Sequence, residues 1–380
     1  MRYGHLEKIK FKLRLLAPLF IGSGQRLTKK EYIFDTGKGK VFFPDMPKLV
    51  RFLKERHMLT KYESFLNNPR QKDFKGFLDA HNIGSKEYND FILYSIDAGE
   101  AVNSQRFREV LTFIKDPEGR PYIPGSSLKG ALRTAIASFV LKRGGWSYQR
   151  KSVEQGVGNF KGAKKYLSWE NKNLEEKLFA RLDIKNPRKP EQKLPVPIND
   201  LMRGIQVSDS LPLDFKHLTL TGKYDRQPDG NYKLLPIFRE CLIPGSEAHF
   251  SITFDLPMLK KAGLAPSDLE KALHGFSDAY YENFEQFFAE LPDDALTGAQ
   301  EGVDMFLGGG AGFVSKTLIY NLFPDHKRAL ELTAKIMSHQ FPRHKHDKDV
   351  KVYKVSPHTL KTTFYQGQYY QMGRCELIME

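Results

Sequence analysis

One short segment combines a tight turn, two hydroxyl side chains and two cations in an order that suits phosphate binding. Its Pro-Gly pair at 124–125 predicts the turn, because proline fixes its own φ and glycine permits a positive φ. Ser126 or Ser127 can then cap a helix by accepting a free backbone N–H. Lys129 and Arg133 lie four residues apart and share one face of that helix near its positive end. The segment is a candidate phosphate site, and the alternative is an ordinary capped helix with solvated charges.

A loop with four glycines in five residues, 308–312, is the second candidate for ligand binding. Glycine lets a backbone approach a ligand closely and adopt a positive φ. The loop is not a Walker A motif, which needs a lysine directly after its last glycine, because three residues separate Gly312 from Lys316. It also lacks the strand and the downstream acid of a dinucleotide-binding fingerprint. A loop rich in N–H groups beside a cation suits a sugar-phosphate backbone, and the alternative is a tight structural turn.

A pair of glycines near the N-terminus, Gly22 and Gly24, flanks Ser23 where the first apolar segment ends. The pair predicts a turn. Arg26 and Lys29 follow it and make the next few residues basic. The sequence therefore predicts an anion-binding loop here.

Histidines cluster at only one place, with His344 and His346 two residues apart and His339 nearby. Histidine titrates near neutral pH, so such a group could act as a general acid and base. Neighbouring cations favour a solvated loop instead. A metal site would need a third ligand at a suitable spacing, and none is evident. The sequence therefore predicts no metal site, no catalytic residue and no cofactor.

The apolar pattern predicts the elements that position these groups. Alternation predicts a strand over 8–21 and a hairpin around Gly37 and Gly39, and helical periodicity follows over 48–91 and again over 122–142. Later strands are expected at 204–208, 218–222, 249–255 and 350–378, with helices over 266–291. This mixture of strands and helices predicts an α+β fold.

The composition limits the class of partner. The 380 residues include 59 Lys and Arg against 45 Asp and Glu, a net charge of +14 that favours nucleic acid or another anionic surface. The only cysteines, Cys241 and Cys375, are far apart, which excludes a disulfide framework and fits a reducing cytoplasm. The apolar run at 15–21 continues an alternating strand pattern and lacks a clear cleavage site. We therefore expect a cytoplasmic protein without a signal peptide or membrane span.

Five stretches of the sequence resemble the RAMP family, the RNA-binding subunits of CRISPR effector complexes. The stretch that begins Pro-Gly-Ser-Ser-Leu-Lys-Gly is similar to a family motif, and the glycine loop with its following lysine is similar to another. The last stretches resemble one branch of the family, a subunit of type III-A (Csm) effector complexes. The matching stretches are 122–135, 306–317, 239–246, 357–361 and 373–377.

The resemblance implies a fold of RRM-like (ferredoxin-type) modules with helical insertions. We expect an N-terminal RRM-like domain over 1–205, with insertions near 45–110 and 143–200 and a mobile basic loop near 185–193. A C-terminal RRM-like domain over 206–380 would carry the glycine loop.

The resemblance also implies a function without independent chemistry. Such a subunit caps the complex at the 3′ end of the CRISPR RNA (crRNA) and supports crRNA maturation and antiviral defence. Its partners would be crRNA, the repeated RAMP backbone subunit, the small subunit and host nucleases, with no membrane. The RNA-binding residues expected are Gly22, Ser23, Gly24, Arg26, Lys29, Gly125, Ser126, Ser127, Lys129, Arg133, Gly308, Gly309, Gly310, Gly312 and Lys316.

Two enzymatic alternatives stay open. The backbone subunit of such complexes cuts RNA with an aspartate in the loop after its first strand, whereas the matching loop here, 25–31, contains no aspartate. Glu31 or Asp35 would have to replace it. Another branch processes crRNA as an endoribonuclease by histidine general acid–base chemistry, for which His344 and His346 are the candidates.

Overall fold

A computed structural model describes residues 4–104, 107–158, 166–288 and 305–380, and these residues form an α+β protein. The strands are β1 Leu6–Leu15, β2 Gly22–Thr28, β3 Ile33–Asp35, β4 Lys40–Pro44, β5 Ile92–Asp97, β6 Glu109–Phe113, β7 Lys185–Asn186, β8 Lys189–Lys193, β9 Ile205–Val207, β10 Leu218–Arg226, β11 Tyr232–Leu242, β12 Glu247–Asp255, β13 Met305–Phe306, β14 Leu360–Tyr365, β15 Gln368–Gln371 and β16 Arg374–Met379. The α-helices are α1 Met46–Glu55, α2 Leu59–Asn67, α3 Phe74–Ala80, α4 Gly125–Leu141, α5 Ser147–Gly158, α6 Ser168–Phe179, α7 Val196–Asn199, α8 Leu256–Lys261, α9 Asp268–Asn283, α10 Ile319–Leu322 and α11 His326–Gln340.

The first sheet contains the long N-terminal strand. Its order is β13-β16-β1-β12-β9, and all its pairs are antiparallel. Four of these strands follow one another along the chain as β1, β9, β12 and β16, with α4 after the first and α9 after the third. This is the strand order of a ferredoxin-type βαββαβ unit. The presence of an RRM-like module in each half of the chain stays a prediction.

Helices α4 and α9 cover this sheet. In α4 the apolar residues Leu128, Leu132 and Ile136 recur at helical spacing and are buried. They join one large core with strand residues such as Phe250 and Ile252. The predicted helix is therefore confirmed, and this packing fixes where its first turn lies.

The second sheet has the order β2-β6-β11-β10-β5-β4-β3, and β14 and β15 extend it from β10. Strand β10 pairs with β5 at its start, where Thr219 lies opposite Asp97. It pairs with β14 at its end, where Tyr224 lies opposite Thr362. The β10–β11 hairpin has a register shift after Gly222. Strands from distant parts of the chain therefore share one face.

Two insertions leave these sheets. Helices α1 to α3 form a lobe with its own aromatic core, as the helical periodicity predicts. The stretch 185–193 is a short hairpin of β7 and β8, so the prediction of a loop there is wrong. The Asn186 side chain accepts a hydrogen bond from the backbone N–H of Arg188 and closes the turn.

Both main sheets combine strands from the two sides of residue 205. Strand β1 pairs with β12 and β16, and β6 pairs with β11. The division into domains 1–205 and 206–380 stays a prediction. Within the described ranges, the structure contains no helix long and apolar enough to cross a membrane.

Candidate nucleic-acid interface

The start of α4 is already occupied by a carboxylate. The Gly125 N–H donates to Asp209 Oδ1 at 2.7 Å. A Cβ on Gly125 would lie 2.5 Å from the carbonyl oxygens of both Val207 and Ser208. Only glycine fits this close approach, and it places Asp209 where a phosphate would otherwise bind.

The predicted serine cap of α4 is wrong. The helix begins at Gly125, so Ser126 and Ser127 lie inside its first turn, and Pro124 at the cap makes no side-chain hydrogen bond. The sequence does not reveal this because the residue that reaches the helix start, Asp209, is 84 positions away.

Arg133 is engaged within the protein. Its Nη1 lies 2.8 Å from Asp200 Oδ2, and its Nη2 lies 3.6 Å from Glu175 Oε2. Its guanidinium carbon also lies 3.5 Å from the centroid of the Phe179 ring. Two carboxylates therefore offset its charge, and it links α4 to α6 and to Asp200, the residue that caps the turn Leu201–Gly204.

Lys129 differs from Arg133. It is half-buried and forms no ion pair with another described residue. Burial lowers its pKa, an effect that Asp200 opposes and Arg133 reinforces. Its charge is therefore available to a ligand at the edge of the helix.

A cavity of about 410 Å³ is lined both by residues of the α4 segment and by residues that follow the glycine loop. Arg133 and Thr134 line it together with Phe313 and Lys316. Burial lowers the pKa of Lys316, whose Nζ donates to the Gly308 carbonyl at 2.7 Å. Two segments that the sequence singled out separately thus border one cavity.

The glycine loop lies directly on the chain that leads into β2. The Gly309 N–H donates to the Phe20 carbonyl at 2.7 Å. Gly308 has a φ of +77°, and a Cβ there would lie 2.3 Å from the same carbonyl oxygen. A Cβ on Gly310 would lie 2.4 Å from Arg239 Nη1. These close contacts therefore explain why glycine is needed at positions 308 and 310 of the loop.

Two donors of the loop have no acceptor within the described ranges. The N–H groups of Gly310 and Gly312 donate to no described residue. Both glycines are partly exposed and have φ values of +98° and +92°. They therefore offer backbone donors to a ligand at this surface.

The glycine pair near the N-terminus forms an edge strand rather than the predicted turn. Three residues, Ser23 to Gln25, stand opposite Thr112 between the paired positions Gly22 and Arg26. The Ser23 and Thr112 hydroxyls share a hydrogen bond of 2.6 Å that supports this bulge. Pairing with β6 overrides the turn preference of the glycines.

The cations of this edge differ in their surroundings. Arg26 is exposed, with Nη1 3.8 Å from Glu109 Oε2. Lys29 is half-buried just after the strand ends. The exposed edge strand begins just after Phe20, the residue that the glycine loop contacts. It therefore continues the surface of the glycine loop.

The sequence-based list of RNA-binding residues omits the cations that lie beneath the glycine loop. Arg239 on β11 is 8% exposed, and its guanidinium carbon lies 5.0 Å from the centroid of the Phe20 ring. Its Nε has no hydrogen-bond partner among the described residues, and its Nη1 contacts Met372 Sδ at 3.6 Å. Burial lowers the pKa of Arg239. A buried guanidinium with so few acceptors is suited to an anion.

Two lysines extend this charge. Burial lowers the pKa of Lys223, and the charges of Lys361 and Arg239 lower it further, against an opposing effect of Asp225. Lys361 Nζ lies 2.7 Å from Asp225 Oδ1, and its Cγ lies 3.5 Å from the Cβ position of Gly312. We call Lys223, Arg239 and Lys361 the cation cluster. It sets three positive charges against the single carboxylate of Asp225.

The cation cluster left a weak signal in the sequence. Lys223 and Asp225 alternate on β10, and Arg239 and Lys361 lie inside two stretches that resemble the family. Their proximity depends on the pairing of β10 with both β11 and β14, which a local pattern does not show.

Of the predicted histidine cluster, His344 lies in a solvated turn as expected, whereas His346 belongs to a buried group with Asp349 and His358. His346 Nδ1 donates to Asp349 Oδ2 at 2.9 Å, and His358 Nδ1 donates to Asp349 Oδ1 at 2.5 Å. His346 is 4% exposed and Asp349 is fully buried, whereas His344 is exposed. Asp349 and His358 are thus candidate ligands beside His346 that the local sequence pattern did not indicate.

Known proteins are similar to this chain in sequence. The model of the RAMP superfamily matches residues 12–315. A Streptococcus thermophilus relative, the CRISPR system Cms protein Csm5, is 33% identical over 318 residues, or 81% of this chain and 79% of the relative. The Mycobacterium tuberculosis protein of the same name is 29% identical over 394 residues, or 98% of each chain.

Solved structures show the same fold. A chain in a cryo-EM structure of a Csm-crRNA-target RNA ternary complex of a type III-A CRISPR-Cas system matches with a TM-score of 0.62 and 23% identity, over 98% of this chain and 100% of that one. A crystal structure of T. onnurineus Csm5 matches with a TM-score of 0.58 and 22% identity, over 96% and 99%. The chain belongs to the RAMP superfamily and, within it, to the Csm5 proteins of CRISPR systems.

Proposed function

We propose that this protein is a non-catalytic RNA-binding subunit of a type III-A CRISPR interference complex. It caps the complex at the 3′ end of the crRNA and supports crRNA maturation and antiviral defence. The observation that carries the proposal is the cation cluster beneath a glycine loop with open N–H donors.

The chemistry of this surface fits a sugar-phosphate backbone. Three cations with one carboxylate repel one another, and a phosphate would relieve that repulsion. Backbone N–H groups and cations bind phosphate without reading bases, so we expect weak sequence preference. The edge strand with Gly22, Ser23, Gly24, Arg26 and Lys29 extends the same track.

The α4 segment has a different place in the proposal. Asp209 occupies the helix start and two carboxylates hold Arg133, so Lys129 and Lys316 are the cations there with the most freedom to contact RNA. Arg133 and the first-turn serines, Ser126 and Ser127, stay in the proposed RNA surface as supporting residues.

We infer the partners from the relatives. They would be crRNA, the repeated RAMP backbone subunit, the small subunit of the Csm complex and host nucleases. The names of the relatives and the ternary complex in which a similar chain occurs support crRNA and Csm subunits as partners. Host nucleases enter the proposal through the family resemblance alone.

Hydrogen bonding in the N-terminal turns favours a subunit without a nuclease centre. Glu31 accepts hydrogen bonds from the backbone and side chain of Thr28, and Asp35 accepts one from the Lys38 backbone. Both carboxylates thus hold local turns. The alternative endoribonuclease with a histidine acid–base pair is disfavoured because His346 is buried against Asp349.

Sequencing of copurified RNA tests the function. The chain is purified in its complex as wild type, as Lys223→Gln with Lys361→Gln, and as the control Lys61→Gln on exposed α2. We expect crRNA of defined 3′ length in the wild type and control, and loss or heterogeneity of that end in the double variant. Unchanged crRNA ends in the double variant contradict the capping role.

A cleavage assay tests the absence of chemistry. The purified chain is incubated with crRNA precursor or target RNA in Mg²⁺ or in EDTA. We expect no cleavage in either condition. Cleavage that His344→Ala or His346→Ala abolishes would support the endoribonuclease instead.

A further inference from the structure

Two imidazoles and one carboxylate converge at residues that are not part of the proposed RNA surface. His346 and Asp349 lie in the turns after α11, and His358 lies just before β14. One ligand atom from each residue lies within 4.8 Å of the others. The group therefore links the turns after α11 to the segment that precedes β14.

Asp349 is the centre of this group. It is fully buried, and each of its carboxylate oxygens faces one imidazole Nδ1, at 2.9 and 2.5 Å. Among the described residues, no lysine or arginine lies within ion-pair distance of it. Hydrogen bonds from the two imidazoles offset part of the cost of burying this carboxylate, and a bound metal cation would offset more of it.

The surroundings restrain the imidazoles. The Tyr353 ring lies against His358 with the ring centroids 4.9 Å apart, and the Phe341 ring lies 6.5 Å from His346. Residues Asp349–Tyr353 form a single π-helical turn, a geometry that often occurs at functional sites. The side chain of His358 is 12% exposed and provides the route from solvent.

We propose that His346, Asp349 and His358 bind one divalent transition-metal ion of the zinc class. Two imidazoles with one carboxylate are a ligand set typical of such ions, which leave a further position for water. Neighbouring ligand atoms of tetrahedral zinc lie roughly 3.3 Å apart. The three ligand atoms here lie within 4.8 Å of one another, so side-chain movements of up to about 1.5 Å would bring them to that spacing. Metal binding through Nδ1 would require the ring proton of each imidazole to reside on Nε2.

The metal would act structurally. It would tie the turns after α11 to the start of β14, the strand that carries Lys361. This role does not depend on RNA binding, because the ligands belong to neither the cation cluster nor the glycine loop.

Metal analysis of the full chain tests the proposal. The protein is stripped with chelator, reloaded with Zn²⁺ alone, passed through a desalting column and analysed for zinc. We expect one zinc per chain in the wild type and in His344→Gln, the exposed neighbour. We expect His358→Gln to bind more than about tenfold more weakly, because it loses a ligand.

Two further measurements keep the test independent of folding defects. Circular dichroism checks that His358→Gln is folded, and Co²⁺ in place of Zn²⁺ reports coordination through its visible absorption. Zinc should raise the Tm of the wild type and of His344→Gln, but not that of His358→Gln. Failure of the wild type to retain zinc, or equal retention by a folded His358→Gln, would overturn the proposal.

Discussion

Neutralising the two lysines of the cation cluster should change how RNA binding depends on salt. The variant Lys223→Gln with Lys361→Gln removes two positive charges from a group of three cations and one carboxylate, so its local charge falls from +2 to 0. Asp225 loses its ion pair, but it lies on a partly exposed face and the change retains side-chain volume. We therefore expect a folded protein with a weaker hold on phosphate.

The magnitude follows from counterion release. Each phosphate contact to a single strand contributes about 0.7 to the slope of log K against log salt, so two lost contacts should reduce the slope by about 1.4. Over a fourfold salt increase, from about 50 to about 200 mM, this amounts to roughly a sevenfold smaller loss of affinity in the variant.

Filter binding of a single-stranded RNA at four or five salt concentrations measures the slope. Lys61→Gln controls for the loss of surface charge. Lys61 is an exposed lysine on α2, a helix that contributes no residue to the cation cluster. The reasoning is refuted if the double variant keeps the wild-type slope, or if the control loses as much slope as the double variant.

Three other predictions concern stability and the α4 segment. Gly125→Ala should lower the free energy of unfolding, measured in urea, by about 2 kcal/mol or more, because its Cβ meets two carbonyl oxygens. Gly130→Ala in the same helix has open space around its Cβ and should raise that free energy by up to about 1 kcal/mol. Equal effects of the two substitutions would contradict the close approach at Gly125. Arg133→Gln should lower the free energy of unfolding in the same urea titration by about 1 kcal/mol. It should change the salt slope of RNA binding less than the double lysine variant does, because carboxylates already offset the charge of Arg133. A larger change of slope would indicate that Arg133 contacts the RNA. Burial lowers the pKa of His326, so this histidine binds fewer protons in the folded than in the unfolded protein. The Tm should therefore fall as the pH drops below about 6.5. His326→Gln should weaken this fall, and a variant with the wild-type pH profile of Tm would show that His326 does not cause it.

Local patterns predicted the elements but not all of their ends. The apolar stripe of Leu128 and Leu132 defines α4, because helical spacing and burial act over a few residues. The cap of that helix comes from Asp209, which tertiary packing brings in. Local sequence therefore suggested the nearby serines as the cap, and that prediction was wrong.

The glycines near the N-terminus show the same limit in another form. Gly22 and Gly24 have turn preferences, yet β6 pairs with their segment and holds it as a bulged edge strand. Pairing between distant strands overrides a weak local preference. The cation cluster was missed for the same reason, since its members come from β10, β11 and β14.

The glycine loop had two readings in the sequence, a tight structural turn or an RNA contact, and the structure makes them compatible. Gly308 and Gly310 lie in close contact with Phe20 and Arg239, and these contacts restrain the loop. A rigid loop loses little conformational entropy when it binds, so fixed N–H donors at Gly310 and Gly312 hold a phosphate better than mobile ones. The contacts that explain the glycines structurally therefore also prepare this loop, above the cation cluster, to bind RNA.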